Sequence, residues 1–274
     1  MALSFSELRV LVRGGGEMAS GIAYRLHLCH MKVVITETPA PTTVRRTVAF
    51  AEAVYQGSQT IEGVEAVKVA APEEAYRVWE RGAIPLFVDP DASIRAVLRP
   101  AVVVDSIIAK RTTGTDKSYA PIVVAVGPGF TAGVNVHAVV ESNRGHNLGR
   151  VLWQGQAEPD TGIPAPVAGY TDQRVLRVPR SGRFRALRDI GDQVDPGEVV
   201  AQVDGLPIEA RIKGVLRGLL KDGIAVEEGI KAGDIDPRGK REYCYLVSDK
   251  ARAIAGGVLE AILHALKDLH LPST

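Results

Sequence analysis

The residues with the clearest chemical purpose stand near the start of the chain, where Arg9-Val10-Leu11-Val12 runs into Gly14-Gly15-Gly16-Glu17-Met18-Ala19. This is the G-x-G-x-x-G pattern in its alanine form, which requires strand, tight turn and helix in that order. Glycine lets the turn close and lets backbone N–H groups approach an anion, while the helix that follows directs its positive end at the same place. The chemistry implied is the binding of a nucleotide phosphate. Glu37 lies 21 positions beyond Gly16, at the end of a second apolar run, where an acid can accept hydrogen bonds from ribose hydroxyls.

Further residues could touch the same ligand. Arg45 and Arg46 follow Glu37 at an expected helix start, where adjacent arginines can clamp a phosphate. Their charge opposes the positive end of that helix, so solvated surface arginines are the other reading. Asp105 ends an apolar run and Lys110 follows it, again at the carboxyl edge of a sheet, where α/β proteins seat ligands. Beyond them Gly127, Gly129, Gly133, His137, Glu141, Arg144 and His146 make a stretch dense in anion-binding residue types. A metal centre built from His137, Glu141 and His146 is not expected, because residues four apart on one strand are about 13 Å apart and cannot share an ion. The chain has no G-x-S-x-G elbow, P-loop or H-E-x-x-H, so the usual hydrolase and NTPase signals are missing.

To position these groups the first part of the chain must alternate strands with crossover helices. Strands are expected at 8–12, 32–36, 84–88, 101–104 and 122–126, nearly all apolar as doubly covered parallel strands are, with more at 134–140 and 151–153. Helices are expected at 17–29, 43–55 and 72–81, the last with Pro72 in its first turn. Proline and glycine then crowd 155–170 and mark a boundary. Past it, Gly182, Leu187, Gly191, Val194 and Gly197 recur 32 positions later as Gly214, Leu219, Gly223, Val226 and Gly229, and Val203-Asp204 recurs as Ile235-Asp236. Such a repeat reads as one structural unit used twice. It resembles the interlocking halves of the barrel-sandwich domains that carry lipoyl or biotinyl groups. The segment joining the halves, 204–208, contains no lysine to modify, so a structural or docking barrel is expected rather than a swinging arm.

A last helix is expected at 248–269, with Ser248 as N-cap and Ile254, Val258, Leu259, Ile262 and Leu266 at helical spacing. Gly256-Gly257 within it costs about 1 kcal/mol per glycine relative to Ala, which implies close backbone packing. The fold class expected is α/β: a Rossmann-like parallel-sheet domain (1–160), a small all-β barrel-sandwich domain (161–246) and a C-terminal helix on the rest (247–274).

Composition narrows the partners. Among 274 residues, 33 Lys and Arg balance 32 Asp and Glu, leaving +1, which gives no long-range pull toward nucleic acid or a membrane surface. Cys29 and Cys244 are too few for a disulfide framework or an all-cysteine metal site. The first residues lack the basic and apolar regions of a signal peptide, and no run reaches the roughly 18 apolar residues of a membrane span, so a cytoplasmic protein is expected. Composition leaves self-association open.

Taken as a set, residues 10–21, 44–54, 127–133, 144–150, 233–238 and 249–250 resemble the accessory proteins of selenium-dependent molybdenum hydroxylase systems. The likeness spans almost the whole chain, and the RGH-x-LGR and GPGF-x-AG segments are specific. The resemblance implies a role in maturing a client molybdenum hydroxylase by handling the molybdenum cofactor or its labile selenium ligand. It carries over no catalytic residue. The nucleotide-bearing ligand would then be a molybdopterin dinucleotide, with the barrel docking the client. Two rivals stand beside it: an NAD(P)-dependent oxidoreductase using His137 or His146 as acid or base, and an adaptor with an empty nucleotide fold. A persulfide route would need Cys29 or Cys244, and neither sits in a setting that activates a thiolate.

Overall fold

The computed structural model describes residues 5–109 and 111–267. Its largest element is a nine-stranded sheet built from β1 (Arg9–Arg13), β2 (Lys32–Glu37), β3 (Ser58–Ile61), β4 (Val64–Val69), β5 (Ile84–Val88), β6 (Val102–Asp105), β7 (Ile122–Val126), β8 (Ala138–Val140) and β9 (Val151–Leu152). The spatial order is β3-β4-β5-β2-β1-β6-β7-β8-β9. From β4 to β8 every neighbouring pair is parallel, and only the edge pairs β3/β4 and β8/β9 are antiparallel. Val10, Leu11 and Val12 are fully buried, as are Val102, Val103 and Val104 beside them. Their unbroken apolar runs are what a sheet covered on both faces demands.

On one face lie α1 (Glu17–Leu28) and the C-terminal helix. Ala19, Ile22, Ala23 and Leu26 of α1 fall at helical spacing and are buried, while Glu17 in its first turn and Arg25 and His27 in its last suit the helix dipole. The other face is covered by α3 (Pro72–Glu80), reached after the short α2 (Ala53–Gln56), and by α4 (Arg95–Leu98), which bury Ala75, Val78 and Leu98. The final helix α5 (Asp249–Leu266) is capped by Ser248, whose hydroxyl accepts the Ala251 N–H, and its Ile254, Val258 and Ile262 join the same apolar cluster as Ile22.

The 32-residue repeat is visible in the strands. β11 (Gly182–Ala186), β12 (Gln193–Val194) and β13 (Val199–Val203) correspond to β15 (Gly214–Leu219), β16 (Ala225–Val226) and β17 (Lys231–Asp236). With β10 (Val175–Arg177) and β14 (Leu206–Glu209) they form two four-stranded antiparallel sheets, β10-β17-β15-β12 and β14-β13-β11-β16. The second strand of each copy pairs with the first strand of the other, so the halves interlock. They share a core around Phe184, Leu216, Leu219 and Ile235. The segment without lysine is the β13–β14 turn, where Asp204 and Gly205 both take positive φ.

Two expectations are corrected. Residues 43–55 do not form one helix: Ala49 is extended at φ −131° and ψ 119°, leaving two 3₁₀ turns and the single turn of α2. The backbone there is committed elsewhere, with the Val44 carbonyl accepting from Leu219 N–H and Ala51 N–H donating to Gly15. The expected strand 134–140 begins only at Ala138, because Val134 is 72% exposed and 131–136 is a turn in which Asn135 N–H donates to the Thr131 carbonyl. The hairpin β3–β4 was not expected at all, though Val64-Glu65-Ala66-Val67-Lys68-Val69 mixes apolar and charged residues after a Glu62-Gly63 turn with positive φ at both residues. No described helix is long and apolar enough to cross a membrane.

Candidate functional site

The strand order reverses about β1: the chain moves from β1 to β2 on one side and later adds β6 on the other. Loops leaving the carboxyl ends of such strands diverge and leave a crevice. Here it is a cleft of about 290 Å³, lined by Arg13, Gly14 and Gly16 after β1, Glu37 and Thr38 after β2, Thr42 and Thr43, Pro90, and Ser106 and Ile107 after β6.

The three glycines of the turn do different things. Gly14 takes φ +94°, closing the turn with a hydrogen bond from its N–H to the Thr36 carbonyl. A Cβ on Gly15 would lie 2.9 Å from the Ala51 backbone nitrogen, so this glycine exists for packing against segment 49–51. Gly16 is different: a Cβ there would meet only the Thr43 hydroxyl, at 3.8 Å. It is the N-cap of α1, in extended conformation and with no side-chain cap, so the first-turn N–H groups lack an internal partner. Glu37 reaches back to this turn, accepting from Gly15 N–H at 2.7 Å and Thr38 N–H at 2.6 Å. The carboxylate expected at the ribose position is thereby held on the rim of the cleft.

Asp105 does not face the cleft. It is fully buried, paired with Arg13 at 3.2 Å, and accepts from the Thr115 hydroxyl at 2.6 Å and the Ile107 N–H at 3.3 Å. Arg13 also donates to Thr115 and to the Pro90 carbonyl at 3.0 Å. The pair arises because Arg13 and Asp105 are register partners at the ends of adjacent parallel strands. Sequence reasoning missed Arg13; the signal was a cation closing an apolar strand beside one that ends in an acid. Lys110 lies outside the described residues.

The arginine pair belongs to the joint between the two sheet systems. Arg45 is 3% exposed and binds Glu17 at 3.1 Å and the Tyr243 carbonyl, while Arg46 binds the Leu219 carbonyl at 2.8 Å and Glu52. They do not stand together over a helix start, because that helix is absent. Gly127 and Gly129 have positive φ and are crowded: a Cβ on Gly127 would lie 2.6 Å from the Ser142 hydroxyl, and one on Gly129 2.7 Å from the Arg111 backbone. Their backbones serve packing rather than an exposed anion cradle. His137 sits at the amino end of β8, its Nδ1 accepting from Val123 N–H, at the opposite edge of the sheet from the cleft. Burial, with Lys117 nearby, holds its imidazolium below the usual histidine range. His146 is exposed and lines neither this cleft nor the wider one beside it.

Arg144 lines a second, wider cleft of about 450 Å³. Both of its terminal nitrogens grip Asp249, at 2.8 and 2.9 Å. That fork holds the Asp249 carboxyl well below the usual carboxylate range and raises the arginine. This cleft touches α1 through Glu17 and Met18, so the two clefts flank the same helix start. Glu141, buried, accepts from the Asn143 and Glu158 N–H groups and shapes the loop that carries Arg144. Among the described residues no three His, Cys, Asp or Glu side chains gather as a metal centre would require. Cys29 is half-buried at the end of α1; Cys244 is buried, and burial pushes its thiol up, away from thiolate.

No family profile matches the sequence. The chain is 49% identical over 254 residues to a protein of Escherichia coli (strain K12) named Uncharacterized protein YqeB, covering 93% of this chain and 47% of that one. The chain thus spans about half the length of the curated relative it matches. Among solved structures, the tRNA N6-threonylcarbamoyladenosine dehydratase TcdA of E. coli, in complex with AMP, aligns over 96% of this chain and 89% of its own at 10% identity, with a TM-score of 0.31. The ectoine utilization protein EutE (DoeB) of Ruegeria pomeroyi aligns over 82% of this chain and 85% of its own at 10% identity, with a TM-score of 0.25.

Proposed function

We propose that the chain binds a nucleotide-bearing ligand at its glycine turn and serves in the cytoplasmic maturation of a selenium-dependent molybdenum hydroxylase. On this reading the ligand is a molybdopterin dinucleotide, the parallel sheet is a Rossmann-like unit, and the interlocked repeat is a barrel-sandwich that docks the client hydroxylase. The observation that carries the ligand site is Gly16: an uncapped helix start with free space above it, at the reversal of strand order and beside the Glu37 carboxylate. The maturation role rests on the sequence resemblance across the chain. An NAD(P)-dependent oxidoreductase shares the glycine turn, but neither His137 nor His146 lines either of the two clefts.

Thermal shift with NAD, NADP, CTP, CDP and a pterin dinucleotide tests the ligand site. A ligand at about 100 times its Kd stabilises by about 2.7 kcal/mol, so the wild type is expected to melt several degrees higher with the pterin dinucleotide or a cytidine nucleotide. Gly16→Asp, which adds a carboxylate where the phosphate would sit, is expected to abolish the shift. Stabilisation by none of the five sinks the reading; NAD-selective stabilisation with hydride transfer replaces it with the oxidoreductase. Hydroxylase activity in cells lacking this chain, restored by wild type and not by Gly16→Asp, tests the maturation role.

A further inference from the structure

The wider cleft is used by no part of that reading. It lies between the carboxyl edge of the parallel sheet, the interlocked repeat and the start of α5, and seven Lys and Arg side chains line it against four carboxylates. In a chain whose formal charge is only +1, this is a local concentration of positive charge.

Two of these cations are left without a partner that satisfies them. Arg217 on β15 is 9% exposed and donates no side-chain hydrogen bond among the described residues. Its ion pair with Asp236 is 3.6 Å long, and Asp236 is already held by the Arg238 fork at 2.6 and 2.9 Å. Lys250, in the first turn of α5, is half-buried, and its ammonium has neither hydrogen bond nor ion pair among the described residues. Burial and the neighbouring Arg144 hold its ammonium below the usual lysine range, against the weaker opposing pull of Glu17, Asp160 and Glu141. A cation in a first helical turn also meets the positive end of the dipole. The Nε atoms of Arg45, Arg174 and Arg217 are likewise buried without an acceptor. Buried donors are rarely left so, and all three arginines line this cleft.

We propose that this cleft binds a multiply charged oxyanion of the phosphate class, with Arg217 and Lys250 as its principal contacts. Arginine offers a planar fork to such a group and lysine a point charge. The site is separate from the glycine turn: Gly16 lines the smaller cleft, and Lys250 and Arg217 line only the wider one.

Calorimetric titration of the chain with inorganic pyrophosphate at low ionic strength tests the proposal. Saturable one-to-one binding is expected, weakened by salt, about tenfold or more weaker in Arg217→Met and in Lys250→Met, and unchanged in Gly16→Asp. Failure of the wild type to bind, or binding by both methionine variants as tight as by the wild type, overturns it. Loss in Gly16→Asp alone also overturns it, by placing the anion on the glycine turn. Acylation of Lys250 in the wild type, which needs no variant to fold, is expected to slow about tenfold under saturating pyrophosphate; an unchanged rate overturns the proposal. Repeating the titration with CDP present identifies the source of the group. Undiminished affinity points to a separate oxyanion, and competition to the nucleotide's own phosphates reaching into this cleft.

Discussion

At the residue scale, the glycine turn shows that one motif can hold three different reasons for glycine. Gly15 is excluded from bearing a side chain by the Ala51 backbone 2.9 Å away, whereas Gly16 has space and an ordinary φ of −67°. Gly15→Ala is therefore expected to lower stability by about 1–3 kcal/mol through overpacking. Gly16→Asp is expected to leave stability unchanged or raise it by a few tenths, since Asp is a better N-cap than Gly. Urea unfolding of the two variants checks both, and equal losses would show that Gly16 is also a packing residue. The motif itself was legible because it is local: its strand, turn and helix are consecutive. Asp105 was not, because its direction depends on Arg13, which is 92 residues away in sequence and adjacent only across the sheet.

At the scale of the element, α5 separates two glycines that the sequence could not tell apart. A Cβ on Gly257 would lie 2.1 Å from the Gly149 carbonyl oxygen, yet one on Gly256 would meet nothing within 4 Å. Close packing, expected for both, holds only for Gly257. Gly256→Ala is expected to stabilise the chain by about 1 kcal/mol through helix propensity. Gly257→Ala is expected to destabilise it by about 1–3 kcal/mol or more, since the neighbour is backbone and cannot move aside cheaply. Thermal melts of the two variants should move in opposite directions; a shared direction would contradict this packing. The expected helix over 43–55 failed for a related reason. Its residues carry a fair helical pattern, but Val44 and Ala51 bond to Leu219 and Gly15, and those tertiary partners outweigh a weak local preference.

At the scale of the whole molecule, chain order and core membership differ. α5 follows the repeat in sequence, yet its Ala251 packs against Gly21 of α1, where a Cβ would approach to 2.8 Å, and its apolar face completes the cluster over the parallel sheet. The repeat has its own core from Leu176 to Cys244. A chain ending at residue 246 is expected to lose the first core's cover and to be cut readily by protease there, while a fragment spanning the repeat stays protected. Uniform digestion of both parts would show that the two cores depend on each other for folding. Sequence alone determined the buried parallel strands, the glycine turn, the doubled unit and the capped last helix, because each is written in consecutive residues or at a fixed period. Only tertiary structure decided that Asp105 turns inward, that Arg45 and Arg46 join two sheet systems, and that Arg217 and Lys250 face one cleft. Those outcomes depend on side chains from distant segments meeting in space, where burial and partner geometry set the role of each charge, and no local pattern encodes that meeting.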